Sequence, residues 1–198
     1  VAADVARDVP EEEPEDRSRA DQLCLTVAPT LDCNFRCDYC YEEHLKVQMS
    51  TRVQDELVAF IGAQSRRLDQ IAVTWYGGEP LLPKAYPVVQ RLSREITALC
   101  KERNIRYGAE IVTNGFFLNR ERMLELKDFG VDRVQVTLDG RRESHDKRRH
   151  LMGGGGTYDR TIPNMKECVD LASFQVRINV DRRNTLGTIE VLEDLQRE

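Results

Sequence analysis

The chain has 198 residues, 40% of them hydrophobic and 32% charged, and a formal net charge of −5. That composition suits one globular domain with a substantial core, and no apolar run is long enough to cross a membrane. The acid excess lies in residues 1–22, where eight Asp and Glu face three Arg, so the balanced remainder gives no electrostatic reason to expect nucleic acid or an anionic membrane as partner.

Residues 1–22 place Pro10 and Pro14 in an acidic run almost free of large apolar side chains, and read as a linker or disordered tail ahead of a folded body at 23–198. Leu23 to Ala28 is a short apolar run stopped by Pro29, as a first strand should be. Ser50 suits the N-cap of a helix with Val53, Leu57, Phe60, Ile61 and Leu68 on one face. Ile71 to Tyr76 reads as a second strand ended by Gly77-Gly78, with Trp75 and Tyr76 divided between core and cavity. Val88, Leu92, Ile96 and Leu99 mark a helix over 87–100, and Tyr107 to Thr113 a third strand ended by Asn114-Gly115. Asn119 caps a helix carrying Met123, Leu126 and Phe129, with Gly130 as its C′ residue.

A fourth strand over 133–138 alternates Val134, Val136 and Leu138 with Arg133, Gln135 and Thr137, and stops at Asp139-Gly140. The basic run over 141–150 reads as a solvated loop or a substrate-binding one, and glycines 153–156 as a mobile loop, either slack or part of a lid. A helix over 163–172, a fifth strand over 174–180 and the start of a fifth helix over 187–198 complete the series. Five alternations with short links predict a parallel α/β sheet built from right-handed crossovers, whose ligands sit at the carboxyl ends of the strands.

The chemistry concentrates in Cys33-x₃-Cys37-x₂-Cys40, directly after the first strand. Chance alone gives that spacing with a probability of about half a per cent from this composition. Three thiolates on one centre leave a coordination position open. Clustered in this way, the cysteines read as reduced metal ligands of a cytoplasmic protein. If His44 supplied a fourth donor, the alternative would be a zinc-stabilised interaction module. Cys24, Cys100 and Cys168 are too widely spaced for a second cluster and read as small buried hydrophobes.

The triplet, with Tyr39 before its last cysteine, resembles the signature of the radical S-adenosylmethionine (SAM) enzymes. Gly77-Gly78-Glu79-Pro80, Thr113-Asn114-Gly115 and Thr137-Leu138-Asp139-Gly140 resemble that family's strand-end motifs. His145-Asp146-x₂-Arg149 followed by Thr157-Tyr158-Asp159-Arg160 is similar to the SPASM/twitch peptide-modifying subgroup that includes the anaerobic sulfatase maturases.

The resemblance implies a partial TIM-like (β/α)6 barrel, of which five βα units fit into 198 residues, with strand six expected beyond them. It implies a [4Fe-4S] cluster on Cys33, Cys37 and Cys40, with SAM on the open iron. It also implies reductive cleavage of SAM to a 5′-deoxyadenosyl radical and hydrogen abstraction from a peptide or protein side chain, or alternatively from a small molecule. Gly77, Gly78, Glu79 and Pro80 are the expected amino-group site, with Glu79 accepting from the ammonium. Asn114, Thr137 and Asp139 are expected around the cofactor, and strand alternation, which sets Arg177 and Asn179 on one face of the fifth strand, adds Asn179 as a candidate for the SAM or substrate cavity. Arg160 is the first choice for the methionine carboxylate and Arg149 the second. An external electron donor of flavodoxin or ferredoxin type is the expected partner, and Tyr39 is expected to shield the cluster.

Overall fold

The computed structural model describes residues 22–182 together with 184, 185 and 191. The acidic segment expected to be a tail, except Gln22, and the helix expected over 187–198, except Val191, lie outside them.

Strands β1 (Gln22–Val27), β3 (Gln70–Trp75), β4 (Arg106–Thr113), β5 (Val131–Thr137) and β7 (Ser173–Arg177) form one parallel sheet in the order β1-β3-β4-β5-β7. Two short strands, β2 (Phe35–Cys37) and β6 (Arg149–Leu151), pair antiparallel outside it. The main sheet's order follows the chain without reversal, as in a barrel wound in one direction. Helices α1 (Thr51–Gln64), α2 (Tyr86–Glu102) and α3 (Arg120–Asp128) return the chain from β1, β3 and β4. Helices α4 (Arg142–Arg148) and α5 (Tyr158–Lys166) lie between β5 and β7.

Strand alternation divides the sheet into an oily face and a polar one. Val27, Trp75, Ile111 and Val134 share a register level, and all are buried in the core with Ile71, Val73, Leu92, Ile96, Met123, Leu126 and Val136. Burying each such aliphatic side chain contributes roughly 1.5–3 kcal/mol. One level on the opposite face carries Thr26, Thr74, Glu110 and Arg133; nearer the carboxyl ends come Gln135 and Gln175, then Thr137 and Arg177. Some of these polar groups pair: Thr74 Oγ1 donates to Glu110 Oε1 at 2.8 Å and Gln135 Nε2 to Gln175 Oε1 at 3.0 Å. Trp75 therefore belongs to the core.

Several local expectations hold. Ser50 Oγ accepts from Val53 N and Asn119 Oδ1 from Arg122 N, so both are N-caps. Gly130, at φ 78°, follows the α3 C-cap Phe129. Cys100 and Cys168 are buried.

Others are corrected. Cys24 is exposed because it shares the polar-facing register of edge strand β1, between the inward Leu23 and Leu25. Helix α1 stops at Gln64 and gives way to a 3₁₀ turn over Ser65–Arg67, so Leu68 reaches the core from outside the helix. Helix α5 begins at Tyr158, five residues before the proline expected to open it, and contains Pro163. The run read as a solvated loop holds α4 and β6, with His145, Arg148 and Arg149 buried. Among the described residues, no helix is long and apolar enough to cross a membrane.

Candidate active site

One cavity of about 270 Å³ opens at the carboxyl ends of the parallel strands. Its wall includes Cys33, Cys37 and Cys40 from the loop after β1, Gly77 and Gly78 after β3, Asn114 after β4 and Thr137 on β5. Arg149, Arg177 and Asn179 complete the side toward β7, and Tyr39, Tyr76 and His44 also line it.

The cysteine loop is fastened on both sides. Toward β3, Gly78 N donates to Thr30 O at 3.1 Å and Glu79 N to Asp32 O at 2.9 Å. A Cβ on Gly78 would stand 2.6 Å from the Asp32 carbonyl carbon, and one on Gly77 would stand 2.6 Å from Thr30 O, where φ is already +103°. Glycine is thus required at both positions for two backbones to touch. On the other side β2 pairs with β6, setting Cys37 opposite Arg149, while Asp38 N donates to Arg148 O at 3.1 Å.

Glu79 is fully buried and does not line the cavity. Its Oε1 accepts from Leu81 N at 2.9 Å and Thr113 Oγ1 at 2.6 Å, and its Oε2 from Asn114 N at 2.7 Å. Burial raises its pKa against these three donors, which favour the ionised form. The carboxylate ties the end of β3 to the end of β4. Pro80, beside it, is also buried away from the wall.

Asp139 is completely buried as well and organises a second polar knot. Tyr39 OH donates to Asp139 Oδ2, and Asn179 N donates to Asp139 Oδ1 at 2.8 Å. Arg149 Nη1 donates to Tyr39 OH at 2.5 Å, and Arg148 forms ion pairs with Asp139 at 3.8 Å and Asp181 at 2.8 Å. Burial, then Asp139, push the Tyr39 phenol well up, against the attraction of Arg149. Tyr39 is therefore anchored by its hydroxyl, which an aromatic signature position alone does not reveal.

The two candidate carboxylate partners separate. Arg149 is buried at the cavity wall, its guanidinium 5.6 Å from the Phe35 ring centroid and its Nε without a hydrogen-bond partner. Arg160 is exposed, lies 6.0 Å from the Phe116 ring centroid and is not part of the wall.

The thiols suit a cationic cluster. All three are free, and burial first, with Glu79 second, pushes Cys33 up to about 12, while burial also raises Cys37. A thiolate at Cys33 thus calls for a bound cation beside it. Asn34 Nδ2 next to Cys33 is a buried donor lacking an acceptor, which inorganic sulfide or a thiolate would supply. Among the described residues, no three His, Cys, Asp or Glu side chains are placed to hold a single metal ion. A cubane asks for less convergence, because each thiolate binds a different iron at its own corner.

The sequence profile of the Radical SAM superfamily matches residues 27–195. The chain belongs to this superfamily. Radical SAM enzymes use a [4Fe-4S] cluster and SAM, and most of the relatives found carry enzyme names. Among them are the Fe-coproporphyrin III synthase of Methanosarcina barkeri, 26% identical over 170 residues, and a GTP 3′,8-cyclase of Rippkaea orientalis, 32% identical over 155. Those matches cover 85% and 75% of this chain but only 40% and 44% of the relatives.

Among solved structures, native anSMEcpe with bound AdoMet and Kp18Cys peptide superposes with a TM-score of 0.76 at 18% identity, covering 88% of this chain and 49% of that one. Streptococcus suis SuiB bound to S-adenosylmethionine gives 0.59 at 18%, covering 87% and 37%. At such identities the likeness is one of fold, and it is the radical SAM partial TIM-like barrel.

Proposed function

We propose that this radical SAM chain holds the cluster and SAM in the strand-end cavity and belongs to an enzyme that modifies a peptide or protein side chain. The observation that carries this reading is the meeting of Cys33, Cys37 and Cys40 with Gly77, Gly78, Thr137, Arg149 and Asn179 on one wall. The cysteines would hold the [4Fe-4S] cluster and Arg149 the methionine carboxylate, its guanidinium being the buried cation at that wall. Thr137 and Asn179 offer hydrogen-bonding groups beside it. Glu79, Asp139 and Pro80 would act from behind the wall by fixing the loops.

When bound, the pair supplies one-electron cleavage of SAM to methionine and a 5′-deoxyadenosyl radical, the hydrogen-abstracting species. The chain's own part is positioning and exclusion of water: Phe35, within the cysteine loop, is fully buried at the cavity wall, and Tyr39 is held by Asp139 and Arg149. An external flavodoxin- or ferredoxin-type donor in the cytoplasm would deliver the electron.

The peptide reading is supported by the paired His145/Arg149 and Thr157/Arg160 motifs. A small-molecule substrate is the second reading, favoured by the names of the cyclase and coproporphyrin relatives.

Anaerobic reconstitution of the full-length protein tests the chemistry. At least about four irons and four sulfides are expected, with 5′-deoxyadenosine released on reduction with SAM. Cys37→Ala should lose about four of each, together with 5′-deoxyadenosine formation, while keeping the α/β circular dichroism; zinc without iron or sulfide sinks the proposal. Turnover with deuterated cell extract separates the substrate classes: deuterium in 5′-deoxyadenosine arising only from the low-molecular-mass fraction selects the second reading.

A further inference from the structure

Asn114 follows β4 at the cavity wall, is 6% exposed, and every polar group of it that the structure describes is engaged. Its backbone N donates to Glu79 Oε2 at 2.7 Å, and its carbonyl accepts from Thr161 Oγ1 at 3.2 Å. Its side-chain Oδ1 accepts from Phe116 N at 3.0 Å, which sets the orientation of the amide and turns Nδ2 the other way. That Nδ2 donates to Asn34 Oδ1 at 2.9 Å and lies 3.7 Å from Cys33 Sγ. Phe35 N, 3.4 Å from the same sulfur, is a second donor to it. Among the described residues, no N–H reaches the sulfur of Cys37 or Cys40 in the same way.

Hydrogen bonds to ligand sulfurs are among the factors that set the potential of an iron–sulfur cluster, because an N–H dipole aimed at sulfur favours the more electron-rich, reduced state. Glu79 grips the Asn114 backbone and so fixes the donor's position.

We propose that Asn114 is a positioning residue that raises the reduction potential of the cluster through its N–H···S contact to Cys33. Its amide is thereby committed to the cysteine loop and not to the ribose of SAM. This rests on the reading of Cys33 as a cluster ligand.

The test is a redox titration, followed by electron paramagnetic resonance, of the reconstituted full-length protein without SAM. It compares wild type, Asn114→Asp and Asn114→Ala, with iron and sulfide assayed in each. Asn114→Asp keeps the acceptor for Phe116 N but has no N–H, so its reduced fraction at fixed potential should fall tenfold or more, equivalent to about 59 mV for one electron. Asn114→Ala should shift the same way by less. A midpoint equal to wild type in Asn114→Ala, with cluster content intact, overturns the proposal whatever Asn114→Asp does, because a carboxylate shifts the potential by its charge alone. Loss of the cluster from both also overturns it, making Asn114 an assembly residue. A wild-type protein without iron and sulfide is a different failure, that of the ligand reading itself.

Discussion

Asp146 caps helix α5 from α4: its Oδ1 accepts from Thr157 N at 2.7 Å and from Tyr158 N at 2.8 Å. Gly156 packs so closely that a Cβ there would stand 2.8 Å from Asp146 Cγ. The last of the four loop glycines is thus a fitted part of the cap. Asp146→Ala should cost about 1–2 kcal/mol, the usual worth of an N-cap, and lower Tm by roughly 2–8 °C. Gly156→Ala should cost a similar amount by displacing the carboxylate. The double variant should fall well short of the sum, because both changes break one interaction. Full additivity in denaturant melts would dissociate Gly156 from the cap.

Tyr39→Phe removes one hydroxyl from two partners, leaving Asp139 Oδ2 to the distant Arg148 and Arg149 Nη1 without its acceptor. Leaving buried polar groups short of a partner costs about 1–3 kcal/mol. Because the hydroxyl is no cluster ligand, iron content after reconstitution should match wild type while the denaturant midpoint falls. Equal midpoints would mean the knot is held by Asp139 and the arginines alone.

What could be read from the residues, and what could not, divides on whether the signal was local. Ser50, Asn119 and Gly130 mark helix ends by chemistry within three or four residues, and the five sheet strands show as apolar runs ended by turns. Helix α4 has a buried face of His145 and Arg148, which hydrophobic periodicity cannot detect. Strands β2 and β6 are three residues each, too short to carry a pattern. The start of α5 was hidden because its capping carboxylate lies eleven residues upstream of Thr157. At the site, the cysteines and strand-end residues were legible as motifs. The inward or outward position of Glu79, Asp139 and Arg160 was not, because it depends on partners distant in sequence.

Placement on the wall predicts unequal roles for the two candidate arginines. In the reconstituted protein, Arg149→Ala should weaken SAM binding at least tenfold, about 1.4 kcal/mol. Arg149→Lys should recover only part of it, since a point charge does not replace a planar fork. Arg160→Ala should stay within roughly twofold of wild type. Equilibrium dialysis with labelled SAM decides; a large loss at Arg160 with none at Arg149 would reverse the assignment.

His145 gives the fold an acid limit. Its ring is fully buried, with Nε2 3.0 Å from Thr157 Oγ1 and Nδ1 3.4 Å from Asp139 N. Burial first, then the charge of Arg149, lower its pKa to about 4, against the pull of Asp146 and Asp139. An unfolded histidine takes up its proton near pH 6.5. Between those values the unfolded chain therefore binds the extra proton and the folded one does not. Stability contributed by the neutral ring is complete above about pH 6.5 and is lost progressively as pH falls toward 4. The gap corresponds to at most about 3 kcal/mol. His145→Gln keeps a polar side chain that does not titrate, so its stability should be lower than wild type at pH 7 yet flatter between pH 6.5 and 4. Parallel curves for the two proteins across that window, in denaturant melts at fixed ionic strength, would assign the acid sensitivity to other groups.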